Sequence, residues 1–355
     1  SDVYKRQVLL KPLVRLLTVF GVYDLILFFA KLVLGRNADI KQILLSQDPD
    51  LVMIVSGFSD AFSLETLAVC KRFKLKSFLF MANWDNVASK GVLIHLPDVM
   101  CVWGEQTKEQ AVKIHGMCER RVFVLGSPQF EVYRKQKSKR GVRSEQSLTT
   151  DDHQPKILFL GTARYRDEVK ILKRLDQKIE TGELKKSLII YRPHPWREPN
   201  QDAENFFEVK FKNVVLDPEI EEHYHAYLHQ PTYDVKSYVQ DWKHAKSLLQ
   251  SVDGVIASLT TMGIEAMLCG KPVLLPVFPE ASGTFSLDVL SKYEHHKCWA
   301  HFSDVILNYE EECLGRDYNA LLAKTNDPNV TSRLVEEVRY VADVGDESFG
   351  SRLLH

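Results

Sequence analysis

The sequence predicts an α/β protein made of two Rossmann-like domains, each built on a doubly wound parallel sheet. Short apolar runs rich in Val, Ile, Leu and Phe alternate with segments of helical composition along most of the chain. Strands without polar alternation are typical of parallel sheets that helices cover on both faces. One polar, basic interruption divides the alternation into two series. The two domains are expected to face a cleft, because open α/β sheets bind ligands outside the carboxyl ends of their strands.

The composition is that of an ordinary globular protein of 355 residues, long enough for two domains of roughly 150 residues each. Hydrophobic residues make up 45% and charged residues 26%, which excludes collagen-like and disordered chains. The net charge of −1 argues against a nucleic-acid partner, because phosphate neutralisation needs a basic surplus. The six cysteines show no C-x-x-C spacing, which predicts reduced thiols in a cytoplasmic protein.

The chain begins with SDVYKRQ and no Met, directly before an apolar segment. We interpret residues 1–7 as a non-native leader, because this heptapeptide resembles a translated sequencing adapter, and we expect the first strand of the first domain to be missing. In Val8–Gly35 the longest uncharged run, Leu16–Tyr23, is far shorter than the ~20 residues that span a bilayer. The segment predicts a buried or amphipathic helix of the first domain. The alternative is a helix in peripheral contact with the inner face of the membrane.

The first domain is predicted to cover residues 8–145, with four strands and two helices between them. Each strand is a short β-rich run that a polar or Gly-containing loop follows. The strands are Asp50–Val55, Lys76–Met81, Val99–Trp103 and Arg121–Leu125, and the helices are Ser63–Phe73 and Glu105–His115.

A basic and polar segment, Arg134–Pro155, separates the two domains. Six of its first ten residues are basic, and it has no apolar periodicity. It predicts a solvated linker, with binding of phosphates or anionic lipid as the alternative.

The second domain, residues 146–355, is predicted to repeat the alternation, and its last helix is expected to return to the first domain. Its strands are Lys156–Leu160, Ser187–Arg192, Asn213–Leu216, Asp253–Ala257 and Pro272–Pro276, and its helices are Tyr165–Ile179, Tyr238–Leu249 and Gly263–Cys269.

The segment Asp253–Val277 carries the most informative pattern. A strand runs into Ser258, Thr260 and Thr261, and a helix begins there, so that hydroxyls and free backbone N–H groups meet at a helix N-terminus. This arrangement favours an anion such as phosphate. Glu265 lies one helical turn further along the same face, where a carboxylate can accept hydrogen bonds from a ribose diol. An ordinary N-cap followed by a surface carboxylate is the alternative.

Two further turns of this domain offer groups for an anion. Arg192 and His194 lie just beyond a strand end in the stiff segment Ile189–Arg197. Arg192 offers a planar fork for phosphate, and His194 a donor for phosphate or a sugar hydroxyl. Gly161 and Thr162 follow the first strand of the domain and allow close backbone approach to a phosphate, with a plain βα turn as the alternative.

A loop crowded with polar and aromatic side chains, Phe80–Gly91, follows the second strand of the first domain. Such a loop is expected to line the cleft. If the protein transfers a group to an acceptor hydroxyl with inversion, a carboxylate of the first domain must deprotonate that hydroxyl; Asp85 is the first candidate, unless it forms an Asx turn, and Asp60 is the second. The other predicted acceptor-side residues are Asn83, Trp84, Asn86, Ser89 and Lys90.

These segments together resemble GT-B glycosyltransferases of surface and capsular polysaccharide biosynthesis. The resemblance rests on E-A-x-x-x-G-x-P-V from Glu265, R-P-H-P from Arg192 and N-W-D-N-x-x-S-K-G from Asn83. A fainter match is G-x-P-x-x-x-Y within Leu125–Tyr133. The resemblance implies that Glu265 holds the donor ribose. It also implies that the donor pyrophosphate is bound by Ser258, Thr260 and Thr261.

By this resemblance the protein is a metal-independent, Leloir-type glycosyltransferase without a cofactor. It would move a sugar from a nucleotide-diphosphate donor to a glycan or lipid-linked acceptor, and Arg192, His194 and the helix N-terminus would stabilise the leaving diphosphate. The alternatives are a polyol-phosphate transferase of the CDP-glycerol type, a sugar-nucleotide epimerase of the same fold, and a non-catalytic partner subunit that binds the nucleotide sugar.

A metal site is not predicted. A cluster of histidines and glutamates includes an H-x-H pair, but it lacks the ligand spacing of a known site. Its members are Glu221, Glu222, His223, His225 and His229.

Overall fold

The computed structural model describes residues 22–56, 60–134, 154–162, 168–198, 202, 204–230, 234, 238–279 and 287–354. The chain forms two compact units, Ser1–Val124 and Leu125–His355, and each unit contains one parallel β-sheet with helices between its strands. The predicted fold class is therefore confirmed. The predicted cleft stays a prediction, and the predicted leader and most of the predicted linker lie outside the described residues.

The first unit contains four strands and five described α-helices. The strands are β1 (Val52–Ser56), β2 (Ser77–Met81), β3 (Val99–Val102) and β4 (Val122–Val124), and the helices are α1 (Val22–Val33), α2 (Ala38–Gln47), α3 (Ala61–Phe73), α4 (Asn86–Ser89) and α5 (Glu105–His115). The sheet order is β1-β2-β3-β4 with every pair parallel. All four predicted strands are confirmed, and their ends differ from the prediction by at most two residues.

Helix α1 forms where a helix was predicted, but none of its described side chains is buried. Leu25, Phe28 and Phe29 are each more than half exposed. Apolar residues lie on several faces of this helix. Packing against one neighbouring layer of the domain can cover only one face. Among the described residues, no helix is both long and apolar enough to cross a bilayer.

The second unit contains six strands and nine described α-helices. The strands are β5 (Lys156–Leu160), β6 (Leu188–Arg192), β7 (Val214–Leu216), β8 (Gly254–Ile256), β9 (Val273–Pro276) and β10 (Val305–Asn308). The helices are α6 (Glu131–Arg134), α7 (Glu168–Glu180), α8 (Pro218–His229), α9 (Trp242–Ser251), α10 (Thr261–Leu268), α11 (Leu287–Lys292), α12 (Leu314–Lys324), α13 (Val330–Val338) and α14 (Phe349–Leu354).

The second sheet has the strand order β10-β9-β8-β5-β6-β7, with every pair parallel. The chain builds β6 and β7 on one side of β5 and then crosses to build β8, β9 and β10 on the other. Core residues such as Phe159, Ile189 and Leu274 are fully buried on these strands. The reversal of direction lies between β5 and β8, and ligands of open α/β sheets bind at the carboxyl ends of strands at such a switch point.

Helix α8 occupies a segment for which no helix was predicted from the sequence. Pro218 lies in the first turn, where the missing N–H costs nothing. The buried side chains of His223 and Tyr224 lie three and four residues after that of Ile220, on one helical face. This regular spacing was the signal available in the sequence.

The compact units divide after Val124, about twenty residues before the predicted boundary at 145/146. The reason is that the segment after β4 packs on the second unit. Lys246 donates a hydrogen bond to the carbonyl oxygen of Val132 at 2.6 Å, and the N–H of Phe349 donates to Glu131 Oε1 at 2.9 Å. Helix α14 thus contacts residues that the sequence analysis had placed in the first domain.

Candidate functional site

The carboxyl end of β8 carries the predicted phosphate-binding groups. Thr260 precedes α10 in an extended conformation, with φ −131° and ψ 164°, and its side chain makes no capping hydrogen bond. Ser258 is fully buried, and its hydroxyl has no hydrogen-bond partner among the described residues. Native proteins rarely leave a buried hydroxyl unpaired, because the desolvation of the group is then not compensated. A polar group and an uncapped helix N-terminus therefore meet at the switch point of the sheet.

Glu265 lies inside the protein, so the alternative of a surface carboxylate is wrong. The residue is 1% exposed, and its Oε2 accepts a hydrogen bond of 2.7 Å from the hydroxyl of Tyr133. Burial raises the pKa of Glu265 to about 7, although the Tyr133 hydrogen bond and the positive charge of Arg192 lower it. The carboxyl group thus changes its charge close to neutral pH.

We expect Glu265→Gln to stabilise the protein at alkaline pH. Because the pKa of Glu265 lies above its usual value of 4.5, the native state binds more protons than the unfolded state between these values. Stability from this group is therefore lost as the pH rises through about 7. Unfolding by urea should show Glu265→Gln more stable than the wild type by on the order of 3 kcal/mol near pH 8, and the difference should close below the unfolded pKa of 4.5.

The control for this experiment is Glu312→Gln, which changes an exposed glutamate of the same unit. A substitution at such an exposed position should change the free energy of unfolding by no more than about 0.5 kcal/mol. A constant difference for Glu265→Gln across the same range would contradict a near-neutral titration of Glu265.

Arg192 ends strand β6 and is almost fully buried within a cluster of charged and polar groups. Its Nη1 donates to Asp217 and, at 2.9 Å, to Glu219, and its Nη2 donates to the hydroxyl of Tyr238 at 2.9 Å. Burial acts to lower the pKa of Arg192, but Asp217, Tyr238 and Glu219 raise it overall. Both terminal nitrogens of the guanidinium, Nη1 and Nη2, therefore donate to protein partners. Donation from these groups to a phosphate would require that the ion pairs open.

The same cluster is the one group of described residues with metal-ligand geometry. Ligand atoms of Asp217, Glu219 and His244 lie within 4.8 Å of one another. His244 Nε2 is 2.9 Å from Asp217 Oδ1, and Arg192 bonds to both carboxylates. One guanidinium provides one positive charge against two carboxylates, and the predicted absence of a metal site stays a prediction.

The predicted histidine cluster is spread over helix α8. His223 is buried, with its Nε2 2.8 Å from the carbonyl oxygen of Pro195. His225 and Glu221 are exposed, and their nearest charged atoms are 4.0 Å apart. Within the described chain, these side chains do not bring three ligand atoms together.

His194 keeps one donor available for a ligand. The backbone N–H of Trp196 donates to His194 Nδ1 at 3.1 Å, so the ring proton resides on Nε2. Burial and the positive charge of Arg197 lower the pKa of His194, which keeps the ring neutral at pH 7. The described residues provide no acceptor for this Nε2–H, and the predicted donor role of His194 stays a prediction that the geometry allows.

Thr162 bonds to a buried carboxylate instead of presenting its donors to a ligand. Its N–H donates to Glu168 Oε1 at 2.6 Å and its hydroxyl does so at 3.2 Å. Glu168 is fully buried and also accepts from Tyr191 at 2.7 Å and from Arg197 at 3.4 Å. A Cβ on Gly161 would lie 2.3 Å from Glu168 Oε2, so the glycine is required by this network. The arrangement favours the alternative, a βα turn with a structural role.

The predicted acceptor loop of the first unit forms a tightly bonded turn. Asn86 Oδ1 accepts from the N–H of Asn83, and Asn83 Oδ1 accepts from the N–H of Trp84 at 2.9 Å. The Asp85 carboxylate lies 3.3 Å from Lys90 Nζ and accepts from Ser89 Oγ at 3.2 Å. These side chains all shape the loop, and Trp84 is 2% exposed, which makes it a core residue.

Asp60 caps helix α3, because its Oδ1 accepts a hydrogen bond of 2.6 Å from the N–H of Ser63. It also lines an apolar groove of about 460 Å³ beside the edge strand β1. The capping bond accounts for Asp60 structurally, and its role as a base stays a prediction.

The partners of the predicted site residues were not predicted from the sequence. These partners are the carboxylates of Asp217 and Glu219 and the phenol of Tyr133. Asp217 directly follows strand β7, and the D-P-E pattern at a strand end was a usable signal. Tyr133 stood in the G-x-P-x-x-x-Y segment, but nothing local indicated that it reaches Glu265.

Comparison with known proteins identifies the fold. No protein-family model matches the sequence, and no curated protein matches it. A protein of Listeria monocytogenes assigned as a UDP-N-acetylglucosamine 2-epimerase matches with a TM-score of 0.51 and 14% identity, over 89% of this chain and 76% of that one. The UDP-GlcNAc 2-epimerase of Neisseria meningitidis, bound to UDP-GlcNAc, matches with a TM-score of 0.51 and 12% identity, over 89% and 78%. At such identities the likeness shows the fold alone, and this fold is GT-B.

Proposed function

We propose that this protein binds a nucleotide-diphosphate sugar in its second unit and transfers the sugar to an acceptor hydroxyl. The observation that carries the proposal is the carboxyl end of β8. There a buried hydroxyl that has no partner among the described residues, an uncapped helix N-terminus and a buried carboxylate follow one another within eight residues, Ser258 to Glu265. A bound diphosphate would compensate the unpaired groups, because anions bind favourably to helix N-termini.

In this site the diphosphate accepts hydrogen bonds from Ser258, Thr260 and Thr261, and Glu265 accepts one from the ribose. The positive N-terminus of α10 stabilises the charge that develops on the leaving diphosphate, without a metal ion. His194 can add its Nε2–H as a donor. Arg192 acts through its charge, which reaches Glu265, while Asp217 and Glu219 hold its guanidinium.

Epimerisation of a nucleotide sugar is the second candidate reaction. The Neisseria protein of this fold is a 2-epimerase bound to UDP-GlcNAc, which makes UDP-GlcNAc the first donor to test. Product analysis separates the two reactions. A transferase releases UDP faster when an acceptor glycan or lipid-linked sugar is added, whereas an epimerase yields an isomeric nucleotide sugar without an acceptor.

The acceptor is proposed to belong to surface polysaccharide or glycoconjugate synthesis at the inner face of the membrane. The exposed apolar side chains of α1, among them Leu25, Phe28 and Phe29, support peripheral membrane contact of a cytoplasmic protein. The apolar groove beside β1, with Asp60 in its lining, supports an acceptor that carries a lipid.

Ser258→Ala tests the phosphate site, because its two expected effects have opposite signs. Removal of a buried hydroxyl without a partner should stabilise the ligand-free protein by about 1 kcal/mol. The same change should weaken UDP binding by about 1 kcal/mol or more, since the phosphate loses a donor. Thermal unfolding measures the first effect, and titration calorimetry with UDP measures the second.

A suitable control is Ser332→Ala, which removes an exposed hydroxyl that donates to the carbonyl oxygen of Asn329, the residue before helix α13. It should leave UDP affinity unchanged. Unaltered UDP affinity in Ser258→Ala, or no UDP binding by the wild type, would count against the proposed site.

A further inference from the structure

Tyr133 joins two segments that are 132 residues apart in the sequence. It lies in α6, in the stretch of chain that follows β4, and is 3% exposed. Its hydroxyl donates to Oε2 of Glu265 at 2.7 Å. Because a phenol with a raised pKa remains protonated, Tyr133 is the donor of this hydrogen bond whenever Glu265 is ionised.

The position of Tyr133 is held from several sides. The ring of the fully buried Phe130 packs at 6.1 Å between centroids. Lys246, from the helix before β8, bonds to the carbonyl oxygen of Val132. The N–H of Phe349 donates to Glu131, and Arg352 Nη2 lies 3.8 Å from the same carboxylate. The phenol therefore presents its hydroxyl at a place that the surrounding packing determines.

Glu265 depends on this hydroxyl more than an exposed glutamate would. Among the described residues, Tyr133 provides the one hydrogen bond that its carboxylate accepts, and Oε1 accepts none. A buried carboxylate that accepts few hydrogen bonds is costly to ionise. Arg192 contributes charge, but its guanidinium bonds to Asp217 and Glu219.

We propose that Tyr133 is a positioning residue for the nucleotide site: its hydroxyl orients the Glu265 carboxylate and supports its ionised form, which leaves Oε1 to accept a hydrogen bond from a ribose hydroxyl. The inference rests on the proposed function, because it assigns a ribose ligand to Glu265. It adds that Tyr133, in the segment after β4, influences the ionisation of Glu265 on α10.

The test is Tyr133→Phe, which removes one oxygen and keeps the ring that packs on Phe130. Loss of the donor should move the titration of Glu265 to higher pH. UDP binding by Tyr133→Phe should be about tenfold weaker near pH 7, and the difference should close near pH 9, where Glu265 ionises without help. A merely structural tyrosine would weaken binding equally at every pH.

Tyr318→Phe is the matched control. Tyr318 is also fully buried in the second unit, and its hydroxyl forms a hydrogen bond of 2.6 Å with Ser187. This variant loses a comparable buried bond without touching Glu265. Its UDP affinity should follow the wild-type pH profile.

A second measurement separates failure of this inference from failure of the proposed function. The infrared band of the protonated Glu265 carboxyl, identified by its absence in Glu265→Gln, can be followed against pH in the ligand-free protein. An upward shift of its midpoint in Tyr133→Phe, but not in Tyr318→Phe, supports the positioning role. An unchanged midpoint overturns it, whether or not UDP binds. Absence of UDP binding by the wild type at every pH overturns the proposed function instead.

Discussion

Replacing Arg192 by alanine is expected to lower the free energy of unfolding by about 3 to 5 kcal/mol, the range for removal of one partner from a buried ion pair. The guanidinium is 2% exposed and Asp217 is fully buried, so the change leaves a carboxylate without its main counter-ion. Glu219 and Tyr238 also lose a hydrogen-bond partner. Urea unfolding of the purified variant measures the loss. The sequence alone suggested that Arg192 stabilises a leaving diphosphate, whereas the structure predicts that the first effect of its loss is on stability.

Arg174→Ala is the matched control for this prediction. Arg174 forms an ion pair of 3.0 Å with Glu311 in the same unit, but both side chains are more than a third exposed. Surface pairs contribute about 0 to 1 kcal/mol, because solvent screens the charges. If Arg192→Ala cost no more than Arg174→Ala, Arg192 would not be the internal cation of its cluster.

Gly126→Ala is expected to destabilise the protein by roughly 2 to 5 kcal/mol, from left-handed backbone strain and overpacking together. Gly126 has a φ of +73°, and a Cβ there would lie 1.8 Å from the backbone oxygen of Asp343. A backbone atom cannot rotate away as a side-chain end can, so the segment that leads to Tyr133 must shift. The variant should therefore also weaken UDP binding, which calorimetry can measure beside urea unfolding.

Gly116→Ala isolates the contribution of the backbone conformation. Gly116 ends helix α5 with a φ of +71°, and a Cβ there would meet nothing within 4 Å. In this variant the left-handed backbone conformation is the one source of strain, and it costs about 1 to 2 kcal/mol. Equal losses in the two variants would show that the approach of Asp343 to Gly126 has no energetic consequence.

Patterns within single segments predicted most of the fold. The apolar runs at Lys156–Leu160 and Val273–Pro276 became central strands of a parallel sheet, because only burial on both faces accommodates them. The strand-to-helix turn at Ser258–Thr261 was also predictable, since small hydroxyl residues before a helical run are typical of a helix start. Helix α9 begins at Trp242, four residues later than predicted, because Asp241 accepts from the N–H of Lys243 and caps it there.

Patterns within segments could not predict which groups of the site are already occupied. Arg192 is of a residue type that binds phosphate, and it lies at a strand end where phosphate could bind. Its ion-pair partner is instead Asp217, from the end of the next strand. Thr162 has the location for a phosphate turn, but Glu168 accepts from both its N–H and its hydroxyl. In each case the competing partner is another residue of the protein, and spacing along the chain does not determine the distance to it.

The sequence by itself determined the class of the fold, two parallel α/β sheets, and the place of a polar helix N-terminus at the end of β8. Both follow from local rules, namely burial of apolar runs and capping of helices. Only the tertiary structure decided that Glu265 is buried and bonded to Tyr133, and that Arg192 is held by two carboxylates. Burial and ion pairing depend on groups that folding brings together from distant parts of the chain, and these groups decide which polar atoms remain for a ligand.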